Sequence, residues 1–426
     1  MRYQEDYSFL KEDTSASVYK KLKYVRLSEN GNAFASFGGD IRLQCFGIQN
    51  EDWGDHEKEK NAFLLSRFLT HADVHMSPSI RAFAQLRGSM VNPQVPGISS
   101  ADDNPLDFHQ AFLEMAISSG NIIFRVGRQE QFYGSQRLIA VPNNRHAFDA
   151  AKAVFRYNRL QLDIFYSRYV VAKKGFFDDR SDSDIQLWGA YGVINATPDL
   201  PNADIYYLGL YRASTLFDDG AGNEERHSAG IRVWKKTKTF SYDIEGVYQL
   251  GRFAAKRIRA WTLSVNMDYQ LMSVPLQPKL GVKADIISGD RKKGDDRLQT
   301  FNPLFPLGSY FGFAALIGPA NLFDLHPSVK MDLWKGKLFW SFDFDAFWRH
   351  RIADGVYAPG AMLLYSAGGS PEHFIGHQFA SDITYSPNPF LLLRAESTLF
   401  APGPYLRSVS AGKSIVLLGI TMQLKF

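Results

Sequence analysis

The chain has 426 residues, enough for two or three ordinary domains or one large closed architecture, and 48 Lys+Arg against 44 Asp+Glu leave +4, too even for a nucleic-acid binder. A single cysteine, Cys45, excludes a disulfide framework and any multi-cysteine metal site. An aromatic share of 14% with 34 glycines leans toward β-structure, and the longest charge-free stretch, 300–323, is broken by Pro303, Pro306, Gly312 and Pro319, so no helix spans a membrane.

Residues 1–36 carry no apolar signal core, which fits either a cytosolic protein or a mature chain whose leader was removed; the barrel pattern of the residues that follow favours the second, with 1–36 expected as an N-terminal segment in the periplasm. From Phe37 the pattern turns to period 2. Ile41, Leu43 and Cys45 alternate with Asp40, Arg42 and Gln44, and this leaves Cys45 as a small hydrophobe on an apolar face. His71 and His75 share a strand face but stand too far apart for a metal pair. Leu160, Leu162, Ile164 and Tyr166 alternate with Gln161 and Asp163. A longer run sets Trp261, Leu263, Val265, Met267 and Tyr269 against Thr262, Ser264, Asn266 and Asp268. Further on, Leu338, Trp340, Phe342 and Phe344 oppose Ser341, Asp343 and Asp345, and Leu391, Leu393 and Leu399 oppose Arg394, Glu396 and Thr398. The chain ends on Val416, Leu418, Ile420, Met422, Leu424 and Phe426, with Thr421, Gln423 and Lys425 between them. No helical stripe of comparable length appears.

The connections alternate. Short turns fall at Ser77-Pro78, Ser119-Gly120-Asn121, Asn158-Arg159, Thr197 to Asn202, Lys236 to Lys238, Ser273 to Pro275, Lys335 to Lys337 and Ser386 to Pro389. Between them lie longer polar stretches, among them Gly88–Pro105, Glu130–His146, Ala172–Ser183, Ser214–Glu225, Gly289–Leu325 and His350–Phe374, with a shorter one near Gly251–Lys256. The count from Phe37 is about eighteen strands. Strands of this length, with short turns on one rim and long loops on the other, predict a single-domain antiparallel transmembrane β-barrel over 37–426, with periplasmic turns and extracellular loops. A soluble β-sandwich array or propeller requires repeats and buried faces that the chain lacks. The expected setting is the outer membrane of a Gram-negative bacterium, the expected state a monomer, and the expected neighbours membrane lipid and lipopolysaccharide. A terminal Phe426 on an alternating strand resembles the signal read by barrel-assembly machinery.

In such a barrel the polar faces line the lumen. Strand parity turns Arg42, Arg81, Arg125, Lys283, Arg349 and Arg394 inward, together with Glu114 and many other acids. Bases lead in the first ten strands and acids in the last eight, a division that sets opposed walls and a field across the pore. Many of these charges are expected to pair across strands and stiffen the wall. Acidic loop pieces at Asp178 to Asp182 and Asp290 to Asp296 have carboxylates enough for a surface calcium loop, but their composition favours plain solvated loops. No other cofactor is expected. No Walker loop, nucleophile-elbow serine or HExxH is present, so an outer-membrane enzyme has no catalytic constellation to offer, even with His109 or His377 as a base.

Phe124-Arg-Val-Gly-Arg-Gln-Glu130 followed by Tyr133-Gly-Ser-Gln-Arg-Leu-Ile139 resembles the GRQ…YGxQRL signature of the bacterial alginate export family. Ser288-Gly-Asp290, Thr300 to Pro306, Tyr310-Phe-Gly312, Phe347-Trp-Arg349 and Leu393 to Gly403 are similar to members as well. The resemblance implies an eighteen-stranded outer-membrane barrel and an arginine-rich constriction that attracts polyuronate carboxylates. Arg128, Arg137 and Arg394 sit in the matching motifs, and Arg125 and Arg349 adjoin them. Arginine suits this role because its planar fork binds both carboxylate oxygens. Arg125 and Arg128 have opposite parity, so both face the lumen only through a bulge, with Gly127 the natural place. Exporters of alginate carry a long covering turn before the penultimate strand. Here that turn is only Ser386 to Pro389, which leaves Gly289–Leu325 and His350–Phe374 as the segments expected to fold inward. The functional expectation is a passive channel for an anionic polysaccharide or another anionic solute, weighed against a general porin, an outer-membrane enzyme and a non-conducting adhesin.

Overall fold

The computed structural model describes residues 2–12, 17–93, 102–140, 146–198 and 200–426. Eighteen antiparallel strands make a closed wall. They are β1 Phe34–Gln49, β2 Lys60–Ser77, β3 Ile80–Asn92, β4 Asn104–Ile117, β5 Ile122–Gln129 and β6 Phe148–Tyr157. Then come β7 Leu160–Val171, β8 Arg180–Ile194, β9 Asn202–Phe217, β10 Gly220–Lys236, β11 Phe240–Phe253 and β12 Lys256–Gln270. The last six are β13 Lys279–Ile287, β14 Leu322–Asp332, β15 Leu338–Arg349, β16 Phe374–Asn388, β17 Leu391–Pro402 and β18 Ile415–Lys425. Each strand pairs with its neighbours in sequence, and β1 pairs with β18 from Asp40↔Lys425 to Gln49↔Val416. That seam removes the last free edge, which a strand in lipid cannot leave unpaired.

The faces divide as the alternation requires. Leu418 and Ile420 are 59% and 66% exposed while Thr421 beside them is buried. Leu263, Met267 and Tyr269 are exposed, and Thr262 and Ser264 are buried. Apolar side chains therefore point outward and polar ones inward, the polarity of a barrel whose solvent outside is lipid. Phe426 extends the seam by one residue: its N–H donates to Gly39 O at 3.1 Å, and Gly39 N–H donates to Phe426 O at 3.0 Å.

Two local features differ from the sequence reading. The stretches Ser214–Glu225 and Gly251–Lys256 are not loops; β9 and β10 meet across Asp218-Asp219, and β11 and β12 across Ala254-Ala255. Gly127, at φ 128°, makes no bulge: the β4–β5 register runs unbroken from Ala111↔Arg128 to Ile117↔Ile122. Arg125 and Arg128 consequently lie on opposite faces of β5. Ahead of the wall, the turn at Arg2–Gln4 lies against the inner faces of the first strands, where Tyr3 is buried on Phe83 and Phe112.

The outer half of the barrel is filled. Loops 289–321, 350–373 and 130–140 fold inward around Trp53, Phe217, Phe301, Phe305, Tyr357, Phe400 and Tyr405. Each such aromatic removed from water contributes about 1.5–3 kcal/mol, which holds the loops inside the wall.

Candidate functional site

Loop 288–321 is the element that shapes the lumen. Its Phe305 pairs with the loop after β5 through Phe305 N–H to Leu138 O at 2.8 Å and Ala140 N–H to Phe305 O at 2.9 Å, and Leu307 N–H reaches Gln136 O at 3.0 Å. The two motif stretches singled out in the sequence, 133–139 and 300–306, thus grip each other. A Cβ on Gly134 would stand 2.3 Å from the Tyr191 hydroxyl, so glycine is required for that close approach. Tyr310 fastens the loop to the far wall. Its hydroxyl donates to Asp285 at 3.0 Å and accepts from Arg137 Nε at 2.6 Å, while Lys283 Nζ donates to its carbonyl. On the other side Gln378 Nε2 donates to Phe311 O at 2.8 Å and Arg212 to Leu304 O at 2.9 Å. The loop crosses the barrel between these anchors.

Between the loop and the β17–β18–β1–β2 wall lies a cavity of about 810 Å³. Four arginines line it, Arg42, Arg67, Arg212 and Arg394, with Glu396 as the single carboxylate among the lining residues. Arg42 and Arg67 are direct register partners, and the seam brings Thr421 beside Arg394 and Gln423 beside Arg42. Chain ends thereby meet: arginines from the first two strands and from the penultimate one form one basic stripe across four adjacent strands. Like charges directly opposite on neighbouring strands destabilise a sheet, so the stripe is held at a cost. Arg67 is compensated by Asp40 at 3.3 Å. Arg212 and Arg394 make no ion pair among the described residues. Arg394 instead lies over the Phe313 ring at 4.5 Å and donates to Thr384 Oγ1 at 3.2 Å, and Arg212 lies over Phe305 at 5.4 Å. His146, which also lines the cavity, adds no charge near neutrality: burial first, then Arg212 and Arg87, bring it down to about 4.

The other expected site residues have other employment. Arg137 is buried at the loop junction, where burial opposes its charge but Tyr310, Asp285 and Glu245 outweigh that and hold its pKa well above the ordinary range. Arg128 is held by Asp149 at 3.0 Å and Asp107 at 3.5 Å. Arg125 pairs with Glu114, and Arg81 forks onto Asp73 at 2.6 Å with Glu114 at 3.7 Å. Arg349 is buried under the outer loops, donating to the carbonyls of Ile352 and Ser370 at 3.0 and 2.8 Å and lying 3.9 Å over Tyr405. Lys283 stands among Asp285, Asp324 and Asp345 on the acidic wall. Of the expected set, Arg42 and Arg394 reach the cavity. Arg212 and Phe313 were not singled out from sequence.

Asp178 and Asp179 come together with Asp107, their ligand atoms all within 4.8 Å of one another. Arg87 approaches Asp179 at 3.6 Å and Arg128 approaches Asp107 at 3.5 Å, so cationic side chains already stand beside two of these carboxylates.

Residues 34–414 match the family model described as alginate export. The chain belongs to the alginate export family. No curated protein matches it significantly. Solved structures share the fold of this family member at low identity. OccAB2 of Acinetobacter baumannii is 10% identical at a TM-score of 0.63, with 92% of this chain and 98% of that one covered. OccK9 (OpdG) of Pseudomonas aeruginosa is 11% identical at 0.62, with the same coverage. OccK2 (OpdF) of Pseudomonas aeruginosa, solved in complex with glucuronate, is 11% identical at 0.59, again covering 92% and 98%.

Proposed function

We propose that this member of the alginate export family is a passive, anion-selective channel of the outer membrane. The observation that carries the reading is the set of four arginines around the cavity, Arg42, Arg67 and Arg394 on the stripe and Arg212 on β9, of which Arg212 and Arg394 make no ion pair among the described residues. A fixed guanidinium beside a narrow aqueous path lowers the barrier for an anion and raises it for a cation, without any bond being made. Several spaced arginines suit passage better than one deep site, because the solute also has to leave. A volume of about 810 Å³ fits the size of a small-molecule site and favours solutes of one or two rings carrying a carboxylate. Passage of a polyuronate, drawn through ring by ring, is the second reading, and membership of the family supports it. Assembly by the barrel machinery, contact with lipopolysaccharide and a monomeric, cofactor-free channel belong to the same proposal.

Reversal potentials across a salt gradient test it in planar bilayers. Anion preference is expected, with current blocked in short events by a uronic acid monomer. Long, length-dependent block by oligouronates favours the polymer reading. A cation-selective channel removes the arginine stripe from the mechanism.

A further inference from the structure

The N-terminal segment places two side chains where the channel reading needs open space. Tyr3 is 6% exposed, its ring edge-on to Phe112 at 5.6 Å and Phe83 at 6.2 Å, with the Arg125 guanidinium 4.3 Å over its face. Arg81 donates to its carbonyl. These partners all belong to the inward faces of β3, β4 and β5, so the ring occupies the lumen on the short-turn side of the cavity. Arg2 beside it reaches the Gly39 carbonyl at 3.2 Å and Asp40 Oδ2 at 3.4 Å. Further along the segment, Lys23 Nζ donates to the Phe426 carbonyl at 3.1 Å, and Tyr19 lies edge-on to Phe390 at 5.0 Å. The segment is therefore fastened at the rim and again inside the barrel.

Asp40 is the link to the solute path. Its Oδ1 holds Arg67 of the arginine stripe at 3.3 Å while its Oδ2 holds Arg2 at 3.4 Å. One carboxylate divided between two guanidiniums neutralises neither fully. Gln423 Nε2 also donates to Asp40 Oδ1 at 3.2 Å; withdrawal of Arg2 removes one of the two guanidiniums that share the carboxylate, so Arg67 takes a larger part of its charge and the stripe then presents less positive charge.

We infer that the N-terminal arm, residues 2–12, is a built-in stopper of this channel that also sets its selectivity, by seating Tyr3 in the Phe83–Phe112–Arg125 slot and drawing Asp40 away from Arg67. The arm in place gives a narrow, strongly anion-selective path; the arm released gives a wider and less selective one. This inference rests on the channel reading.

The test joins two readouts on the full chain: hydrogen exchange of the 2–12 peptide by mass spectrometry, and bilayer current with reversal potential. The variants are Tyr3→Ser with Arg2→Ser, deletion of 2–12, and Asp40→Asn. Release of the arm in the double variant is expected to speed exchange of that peptide at least tenfold with the wall strands unchanged. Unit current should rise about twofold, and anion preference should fall. Asp40→Asn removes the carboxylate beside Arg67 whether or not the arm is seated, so it should raise anion preference, and adding Tyr3→Ser and Arg2→Ser to it should no longer lower it. Unchanged exchange in the double variant overturns the seated arm. Faster exchange with unchanged current overturns the stopper while the channel stands. No current from any form, the deletion included, overturns the channel reading and the stopper with it.

Discussion

Arg42 and Arg394 stand on two sides of the β1–β18 seam, and in the proposed channel their charge is what a passing anion would meet. A unit charge 4 Å away is worth about 4 kcal/mol at an effective dielectric of ~20, before screening by solvent. A surviving bias of about 1.4 kcal/mol is already tenfold in permeability ratio. Arg42→Glu with Arg394→Glu is expected to reverse the sign of the reversal potential, and 1 M salt, where the Debye length is about 3 Å, is expected to shrink the wild-type bias. Arg128→Ala should leave the reversal potential nearly unchanged, because Arg128 spends its charge on Asp149 and Asp107. An unaltered potential in the double Glu variant removes the stripe from the mechanism. The sequence exposed Arg42 and Arg394 through strand parity, since each has apolar neighbours on both sides in its strand. It hid Arg212 because β9 is apolar on both faces: Tyr206, Leu208 and Leu210 are buried under the inward loops while Ile205 and Tyr207 face lipid. With no alternation there is no parity to read. Arg137 misled for another reason: its motif assembles the loop, and neither the motif nor the parity says which partner a buried guanidinium finds.

At the scale of the element, alternation was legible wherever the lumen side stays wet, as along β12 and β18, and illegible where a loop packs on it. Burial of the outer half by loops 289–321 and 350–373 is a long-range event, so the outer ends of β9 and β10, with Thr215, Asp218 and Glu224, read as polar connection. The hairpin turn there is only Asp218-Asp219. Two substitutions probe the elements directly. Tyr310→Phe removes the hydroxyl shared by Asp285 and Arg137, and a buried group left without its partner costs about 1–3 kcal/mol. Faster hydrogen exchange in 299–311 and a noisier, larger unit current are expected; protection equal to wild type would mean the loop is held by its aromatic packing alone. On β18 a lipid-facing lysine costs ~2–4 kcal/mol near the midplane and little at the interface. Leu418→Lys should therefore lower folded yield and denaturant resistance more than Leu424→Lys, which stands next to the strand end. Equal, negligible effects would contradict the outward face assigned to both.

For the molecule as a whole, the wall is fixed by register, whereas the inward crown depends on a few buried polar contacts outside the membrane strands. Asp354 accepts from Asp290 N–H at 2.8 Å and Thr300 Oγ1 at 2.6 Å, tying loop 288–321 to loop 350–373. Asp290 is the weak point. Burial, with Asp219 and Asp354 nearby, pushes its carboxyl up to about 7, against a help from the Gln299 N–H that is not enough. Its Oδ2 is buried without a hydrogen-bond partner. In the unfolded chain an aspartate titrates near pH 4, so between about pH 4 and 7 the folded form binds more protons than the unfolded one. The sign follows: the contribution of protonated Asp290 to crown stability is fully present below about pH 4 and is lost as pH rises through about 7. Hydrogen exchange of 289–321 should accordingly be slower at pH 5 than at pH 8 once corrected for the intrinsic rate, with fewer gating events at the lower pH. Asp290→Asn, neutral at every pH, should flatten that dependence and keep the crown protected at pH 8. A variant that retains the wild-type pH profile would move the titration to another group and leave Asp290 a passive member of the crown.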